Sequence, residues 1–351
     1  MRQKLFLTAL ASGLAIGIVP AVASAAPPPP AKAVSNAHVL TTFPRGTDGS
    51  FAESLAVDRQ GSLYVALTTW AASGWNRGQV WKVAPDGRKS RFGPEFAVGV
   101  LTGLAFDGHG RLYAGLAAWT DPALPALRSG VVRIDATSAT RVLSLPTAAA
   151  EVSSFPNGLA FRGDDLYVSD SLTGAVWRTR PSRGTGAAAN EVQSAPWLKD
   201  PLLAPSTKGG LGINGIAFRG GSLYGVVADS GRLVRMGLGR HGRALPPRLV
   251  ARSASLVSAD GVAFDAVGRL WVTTNGGAAP HAGALVRVDP HGHVTVVLNK
   301  APWMDYPTQP VLGTTRHGHL TLYVTDGAFN SSGTSDVVAV QVSVGGTRAT
   351  P

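Results

Sequence analysis

The chain has 351 residues, with 32 lysines and arginines against 21 aspartates and glutamates, and no cysteine. The missing cysteines exclude disulfides, thiolate nucleophiles and Cys-based zinc or iron–sulfur centres, so a secreted form would be held together by core burial alone. The net charge of +11 comes without a basic block interleaved with aromatics, which reads as a dispersed, solvated positive surface rather than a nucleic-acid site.

The first 25 residues have the grammar of an export signal. Arg2 and Lys4 are positive, Leu5 to Ala23 is almost wholly apolar, and Ala23-Ser24-Ala25 supplies a small-x-small cleavage pattern. The mature chain is expected to start at Ala26 and to be secreted, and the lack of cysteine removes any lipobox. A Pro-rich linker then covers residues 26–37, a repeat region 38–344, and a short tail 345–351.

Six stretches of that region place a polar or small residue two positions before an apolar one that opens a strand. They read Ala-Glu53-Ser-Leu, Leu-Thr102-Gly-Leu, Pro-Asn157-Gly-Leu, Ile-Asn214-Gly-Ile, Ala-Asp260-Gly-Val and Thr-Gln309-Pro-Val. The apolar markers Leu55, Leu104, Leu159, Ile216, Val262 and Val311 recur at a period of about 50 residues, the size of a propeller blade. Each repeat continues with an Asp/Gly-rich turn, then a second strand that opens Leu-Tyr or Leu-Trp, as at Leu63-Tyr64 and Leu270-Trp271. A third strand alternates apolar and polar residues, as in Gln79-Val-Trp-Lys-Val83, and several units show a fourth. Helical periodicity is absent after the signal.

The expected fold is therefore all-β: a six-bladed β-propeller of four-stranded antiparallel blades. His38 to Phe43 stands alone before the first repeat, while the sixth repeat stops after three strands. The N-terminal strand is expected to complete that last blade and close the ring.

Equal offset in a propeller repeat means equal height around the axis. Glu53, Thr102, Asn157, Asn214, Asp260 and Gln309 would then line one mouth of the channel. Two carboxylates (Glu53, Asp260) and two amides (Asn157, Asn214) suit a hard cation such as Ca2+, with no histidine or thiolate to favour zinc or copper. The same residues could instead simply solvate a wet channel.

Asn-Gly-Leu/Ile-Ala-Phe in the middle repeats, Asp260-Gly-Val-Ala-Phe-Asp in the fifth and Leu166-Tyr-Val-Ser-Asp-Ser in the third resemble the SMP-30/gluconolactonase/LRE-like group, related to diisopropylfluorophosphatase and the paraoxonases. The resemblance implies a calcium-dependent propeller hydrolase of lactones or related esters. It assigns metal ligation to Glu53, Asn157, Asn214 and Asp260, and makes Asp260 the catalytic base or nucleophile. Sugar lactonases carry Arg and Asn in the second repeat, where this chain has Val100-Leu-Thr102-Gly, which points away from sugar lactones. The expected partner is a small-molecule lactone or ester met by a monomer, with no nucleic acid and no membrane once the signal is gone. A non-catalytic, calcium-stabilised propeller that binds a ligand or cell-surface partner is the alternative. Asp170 and Asp326 share a further slot, either deeper in the channel or capping a strand-end turn.

Overall fold

A computed structural model describes residues 34–43, 49–69, 76–98, 100–118, 129–146, 154–181, 194–277, 281–316, 319–328 and 334–343. The expected export signal, most of the linker and the tail lie outside them. Among the described residues there is no α-helix, and no helix is long and apolar enough to cross a membrane.

The strands form six four-stranded antiparallel sheets. The first holds β2 (Ser50–Val57), β3 (Leu63–Thr69), β4 (Asn76–Val83) and β5 (Lys89–Val98). The second holds β6 (Val100–Phe106), β7 (Leu112–Ala117), β8 (Gly130–Ile134) and β9 (Ala139–Ser144). The third holds β10 (Pro156–Arg162), β11 (Asp165–Asp170), β12 (Ala175–Thr179) and the two-residue β13 (Leu198–Lys199). The fourth is β14 (Ile213–Arg219), β15 (Ser222–Val227), β16 (Arg232–Gly237) and β17 (Arg248–Arg252). The fifth is β18 (Ala259–Phe264), β19 (Leu270–Thr274), β20 (Ala284–Val288) and β21 (Val294–Asn299). The sixth runs β22 (Pro307–Arg316), β23 (His319–Asp326), β24 (Ser335–Ser343) and, as its outer strand, β1 (Val34–Phe43).

The first strands of successive blades touch in the cyclic order β2, β6, β10, β14, β18, β22 and back to β2, so the ring is closed. The N-terminal strand pairs with β24, which gives that edge a partner within the chain. It starts at Val34, four residues before the expected His38.

The repeated motifs exist because two of them meet across four of the blade boundaries. The aromatic of one blade's Leu-Tyr pair packs edge-on against the Phe of the next blade's first strand. The ring centroids are 5.1 Å apart for Tyr64–Phe106, 5.0 Å for Tyr167–Phe218 and 5.1 Å for Tyr224–Phe264. Buried apolar clusters follow the same plan: Tyr64 with Leu104 and Ile134, Tyr167 with Ile213 and Leu223, and Phe43 and Val337 with Leu55 and Leu63 at the closure. Trp271 and Trp177 are buried within these layers, as their positions inside strands suggest.

Hydroxyl bridges stitch the same boundaries near the axis. Thr68 Oγ1 accepts from Leu101 N (2.9 Å), and Thr102 Oγ1 donates to the carbonyl of Pro156 (2.7 Å). Ser169 Oγ donates to that of Asn214 (2.6 Å), Thr273 Oγ1 to that of Thr308 (2.5 Å), and Thr308 Oγ1 to that of Ala52 (3.0 Å). Each bridge satisfies a buried backbone group that would otherwise lack a partner.

Candidate functional site

Every first strand carries a β-bulge at its polar residue. Register slips by one residue between Ala52 and Ser54, Leu101 and Leu104, Pro156 and Leu159, Ile213 and Ile216, Ala259 and Val262, and Pro307 and Pro310. A bulge interrupts the ladder and re-aims one side chain, a device that recurs beside functional sites. Here it is repeated around the whole ring.

The pairing also corrects the slot in the sixth blade. In the first five blades the apolar marker faces the residue after the second-strand aromatic, as Leu55 faces Val65 and Val262 faces Val272. In the sixth, the residue after Tyr323 is Val324, and it faces Pro310 rather than Val311. The equivalent polar residue is therefore Thr308, not Gln309. Thr308 behaves like Thr102, since each turns its hydroxyl onto the carbonyl that precedes the next blade's polar residue. Two of the six positions are thus hydroxyls committed to backbone. The other four are Glu53, Asn157, Asn214 and Asp260, all buried.

A glycine follows the polar residue in the four middle blades, and close packing explains it. A β-carbon on Gly158 would stand 2.7 Å from the carbonyl oxygen of Asn214, and one on Gly261 would stand 2.6 Å from that of Thr308. The absent side chain lets each bulge nest on the next, which sets the spacing of the four donors.

Electrostatics shows which of them converge. Burial, and then the charge of Asp260, holds the Glu53 carboxyl well above the usual carboxylate range. Burial pushes Asp260 up to about 7, against hydrogen bonds from Asn275 and Asn214 that favour its ionised form. Tyr306, in the connection between the fifth and sixth blades, has its phenol raised by burial first and then by both carboxylates. Glu53, Asn214 and Asp260 are therefore one electrostatic cluster with Tyr306 beside it. Asn157 shares their height in the repeat, and its side-chain amide bonds within its own blade.

Three supporting residues were not singled out from the sequence. Asn275 Nδ2 donates to Asp260 Oδ2 (3.3 Å), and Asn157 Nδ2 donates to Ser171 Oγ (3.3 Å). Ser171 and Asn275 each stand four residues after their blade's second-strand aromatic, a second shared offset that the repeat does contain. Tyr306 packs edge-on against Phe51 at 5.6 Å, two residues from Glu53. Its backbone N donates to Asp326 Oδ1 (2.6 Å), while Phe155 N donates to Asp170 Oδ1 (2.9 Å). Asp170 and Asp326 thus cap the segments that enter the first strands of their blades.

The donor set suits a hard cation. All four side chains offer oxygen. The Nδ2 groups of Asn157 and Asn214 are spent on Ser171 Oγ and on the Ala259 carbonyl, which leaves the Oδ1 atoms for a ligand. Two adjacent buried carboxylates repel one another, and a divalent cation relieves that repulsion. No group of three or more His, Asp or Glu that could hold a metal is present among the described residues, so the amide oxygens are integral to any such site. The sequence also holds two closely spaced histidine pairs, His291/His293 and His317/His319. His293 Nδ1 bonds Asp289 Oδ2 (2.8 Å) in an exposed hairpin, and His317 is outside the described residues.

No protein-family model and no curated protein matches the chain. Among solved structures it is similar to a putative oxidoreductase (glucose dehydrogenase) of Thermus thermophilus, at 17% identity and TM-score 0.55, over 87% of this chain and 99% of that one. It is similar to the PQQ-bound aldose sugar dehydrogenase of Streptomyces coelicolor at 15% identity and TM-score 0.54, over 90% and 100% of the two chains. It is also similar to a luciferin-regenerating enzyme at 13% identity and TM-score 0.51, over 84% and 94%. These likenesses show the propeller fold, a common frame onto which unrelated functional sites are grafted. The resemblance to the SMP-30/gluconolactonase group rests on the short motifs alone.

Proposed function

We propose that the chain is a hydrolase of lactones or related esters that works with a divalent cation, calcium by its oxygen donors, held by Glu53, Asn157, Asn214 and Asp260. The observation that carries this reading is the buried Glu53–Asp260 pair, set on matching bulges together with Asn214. A bound cation supplies a fixed positive charge that polarises a carbonyl and favours the ionised form of both carboxylates.

The chain's own residues do the rest. Asp260 is the base or nucleophile. As base it takes the proton of the water that attacks the carbonyl carbon. As nucleophile its carboxylate adds to that carbon, the ester C–O bond breaks with the alkoxide leaving as the alcohol, and water hydrolyses the resulting acyl anhydride. Burial raises its pKa in the cation-free chain, and a bound cation would draw it back toward the ionised form that a base or nucleophile needs. Asn275 holds Asp260 through the contact to Oδ2 and fixes the direction of its other oxygen. Glu53 is chiefly a ligand. Tyr306 keeps its proton at neutral pH and closes one side of the site against Phe51.

The test is turnover of a panel of lactones and aryl esters, with and without chelator. A hydrolase loses turnover with EGTA, regains it with calcium, and falls by two orders of magnitude or more in Asp260→Asn. No turnover in any condition, with a melting temperature that still falls on chelation, would leave a metal-stabilised binding propeller. The expected export of the chain is part of the same proposal and is checked by the N-terminal sequence of the secreted form.

A further inference from the structure

The positive charge is not spread evenly over the propeller. From Ser230 to Ala259 the chain has six arginines and no aspartate or glutamate. This segment forms the outer half of the fourth blade, β16 and β17, with the turns around them. The even, solvated surface expected from composition gives way to one cationic edge.

Pairing sharpens the contrast. Several arginines elsewhere sit on carboxylates, among them Arg111 on Asp107, Arg269 on Asp265, Arg178 and Arg180 on Asp165, and Arg77 on Glu95, while Arg59 and Arg219 are tied to backbone carbonyls. None of the six in the fourth blade has an ion pair among the described residues. Arg232 is tied to neutral oxygens, with Nη2 donating to the Ala204 carbonyl (2.9 Å), and Arg235 Nε donates to Ser222 Oγ (3.0 Å). Arg240, Arg243, Arg248 and Arg252 are exposed.

The register places like charges opposite one another. Arg232 pairs with Arg252 and Arg235 with Arg248 across β16 and β17. Cross-strand like-charge pairs are destabilising, and here no carboxylate of the segment offsets them. The two pairs fall on opposite faces of the sheet, so guanidinium groups border both sides of the outer edge strand. That edge also offers unpaired backbone N–H groups.

From this arrangement we infer that the outer edge of the fourth blade is a docking surface for a linear phosphodiester polymer lying along β17. Guanidinium groups match phosphate oxygens in planar, bidentate geometry, and an extended polyanion following the strand is reached from both faces of the edge. Nucleic acid fits less well, because the segment has no Phe, Tyr or Trp on which bases could stack. A bilayer fits less well too. Exposed Leu245 and Leu249 are the segment's large apolar anchors, too few to bury in a membrane beside guanidinium groups on two faces.

The experiment is fluorescence anisotropy of end-labelled poly(glycerol phosphate) with the full chain across a salt series, beside a single-stranded oligonucleotide and phosphatidylglycerol vesicles. Wild type should bind the polymer, with a log–log salt slope of magnitude about 3. The variant R235Q/R240Q/R243Q/R248Q should lose at least ten-fold in affinity, and its slope should flatten, whereas R77Q/R88Q in the first blade should bind as wild type. Relief of the Arg235–Arg248 repulsion should leave the quadruple variant melting no lower than wild type. Absent polymer binding, equal binding by the quadruple variant, or vesicle or oligonucleotide binding tighter than polymer binding would each overturn the inference. None of these outcomes depends on the channel site or on turnover.

Discussion

Glu53 and Asp260 come from the first and fifth blades, yet after burial itself it is the charge of Asp260 that holds the Glu53 carboxyl above its ordinary range. The sixth blade separates them in the ring, and its polar residue, Thr308, turns its hydroxyl onto the Ala52 carbonyl. Two buried carboxyl groups are thereby left in one electrostatic cluster. Such a pair is costly to keep in the absence of a cation and favourable in its presence.

The pH dependence of stability follows from that cost. Asp260 in the folded chain titrates near 7, whereas an unfolded aspartate titrates near 3.8. Below about pH 4 both states are protonated and the contribution is fully present; as pH rises toward 7 the unfolded state loses its proton first, and stability falls. Chelated wild type should melt several degrees lower at pH 8 than at pH 5. Asp260→Asn should remove much of that difference, and saturating calcium should remove it too. Thermal melts at both pH values, with and without EGTA, check this.

Asn275 holds Asp260 without contributing an oxygen that the repeat predicts as a ligand. Asn275→Ala should weaken calcium binding about 10- to 100-fold, the usual effect of losing a residue that orients a ligand. The metal-free melting temperature should change little. Calorimetric titration of wild type and variant makes the comparison.

Gly158 lies where one bulge rests on the next, with the Asn214 carbonyl 2.7 Å from any β-carbon. Gly158→Ala should cost about 1–3 kcal/mol, the range for forcing atoms into a packed site. Because the strain falls between Asn157 and Asn214, metal affinity should drop as well. Urea unfolding and calcium titration of the same variant read the two effects separately.

Thr273 Oγ1 accepts from Gly261 N and donates to the Thr308 carbonyl, joining the fifth blade to the sixth. Thr273→Val keeps the shape and strands both backbone groups. A loss of about 1–3 kcal/mol is expected in urea unfolding, as for other buried groups left without a partner. Exposed Thr334, outside these bridges, is the control position.

The frame was legible in the sequence because both of its repeated motifs have a physical cause. Leu-Tyr and Leu-Ala-Phe recur since Tyr64 must meet Phe106, Tyr113 must meet Phe161 and Tyr167 must meet Phe218 at successive boundaries of the ring. Closure by the N-terminal strand was legible too, from the orphan strand and the truncated sixth repeat. The bulges were not, because an extra residue leaves no mark until pairing partners are known. That is why Gln309 took the place that belongs to Thr308, where the sixth strand departs from the x-Gly pattern of its neighbours. Asn275 and Ser171 were written at a fixed offset from the aromatic, but amide and hydroxyl side chains there read equally well as turn residues. The arginine edge was hidden for a different reason: β16 and β17 alternate normally, and only their register sets Arg232 against Arg252.

The central claim is that Glu53, Asn157, Asn214 and Asp260 hold one divalent cation. Native mass spectrometry of the purified chain, titrated with calcium and compared with Glu53→Gln and Asp260→Asn, tests it most directly. One calcium per chain is expected for the wild type, with binding lost or weakened at least 100-fold in each variant. A chain that takes up no calcium, or variants that bind it as tightly as wild type, would contradict the claim and remove the hydrolase proposal with it.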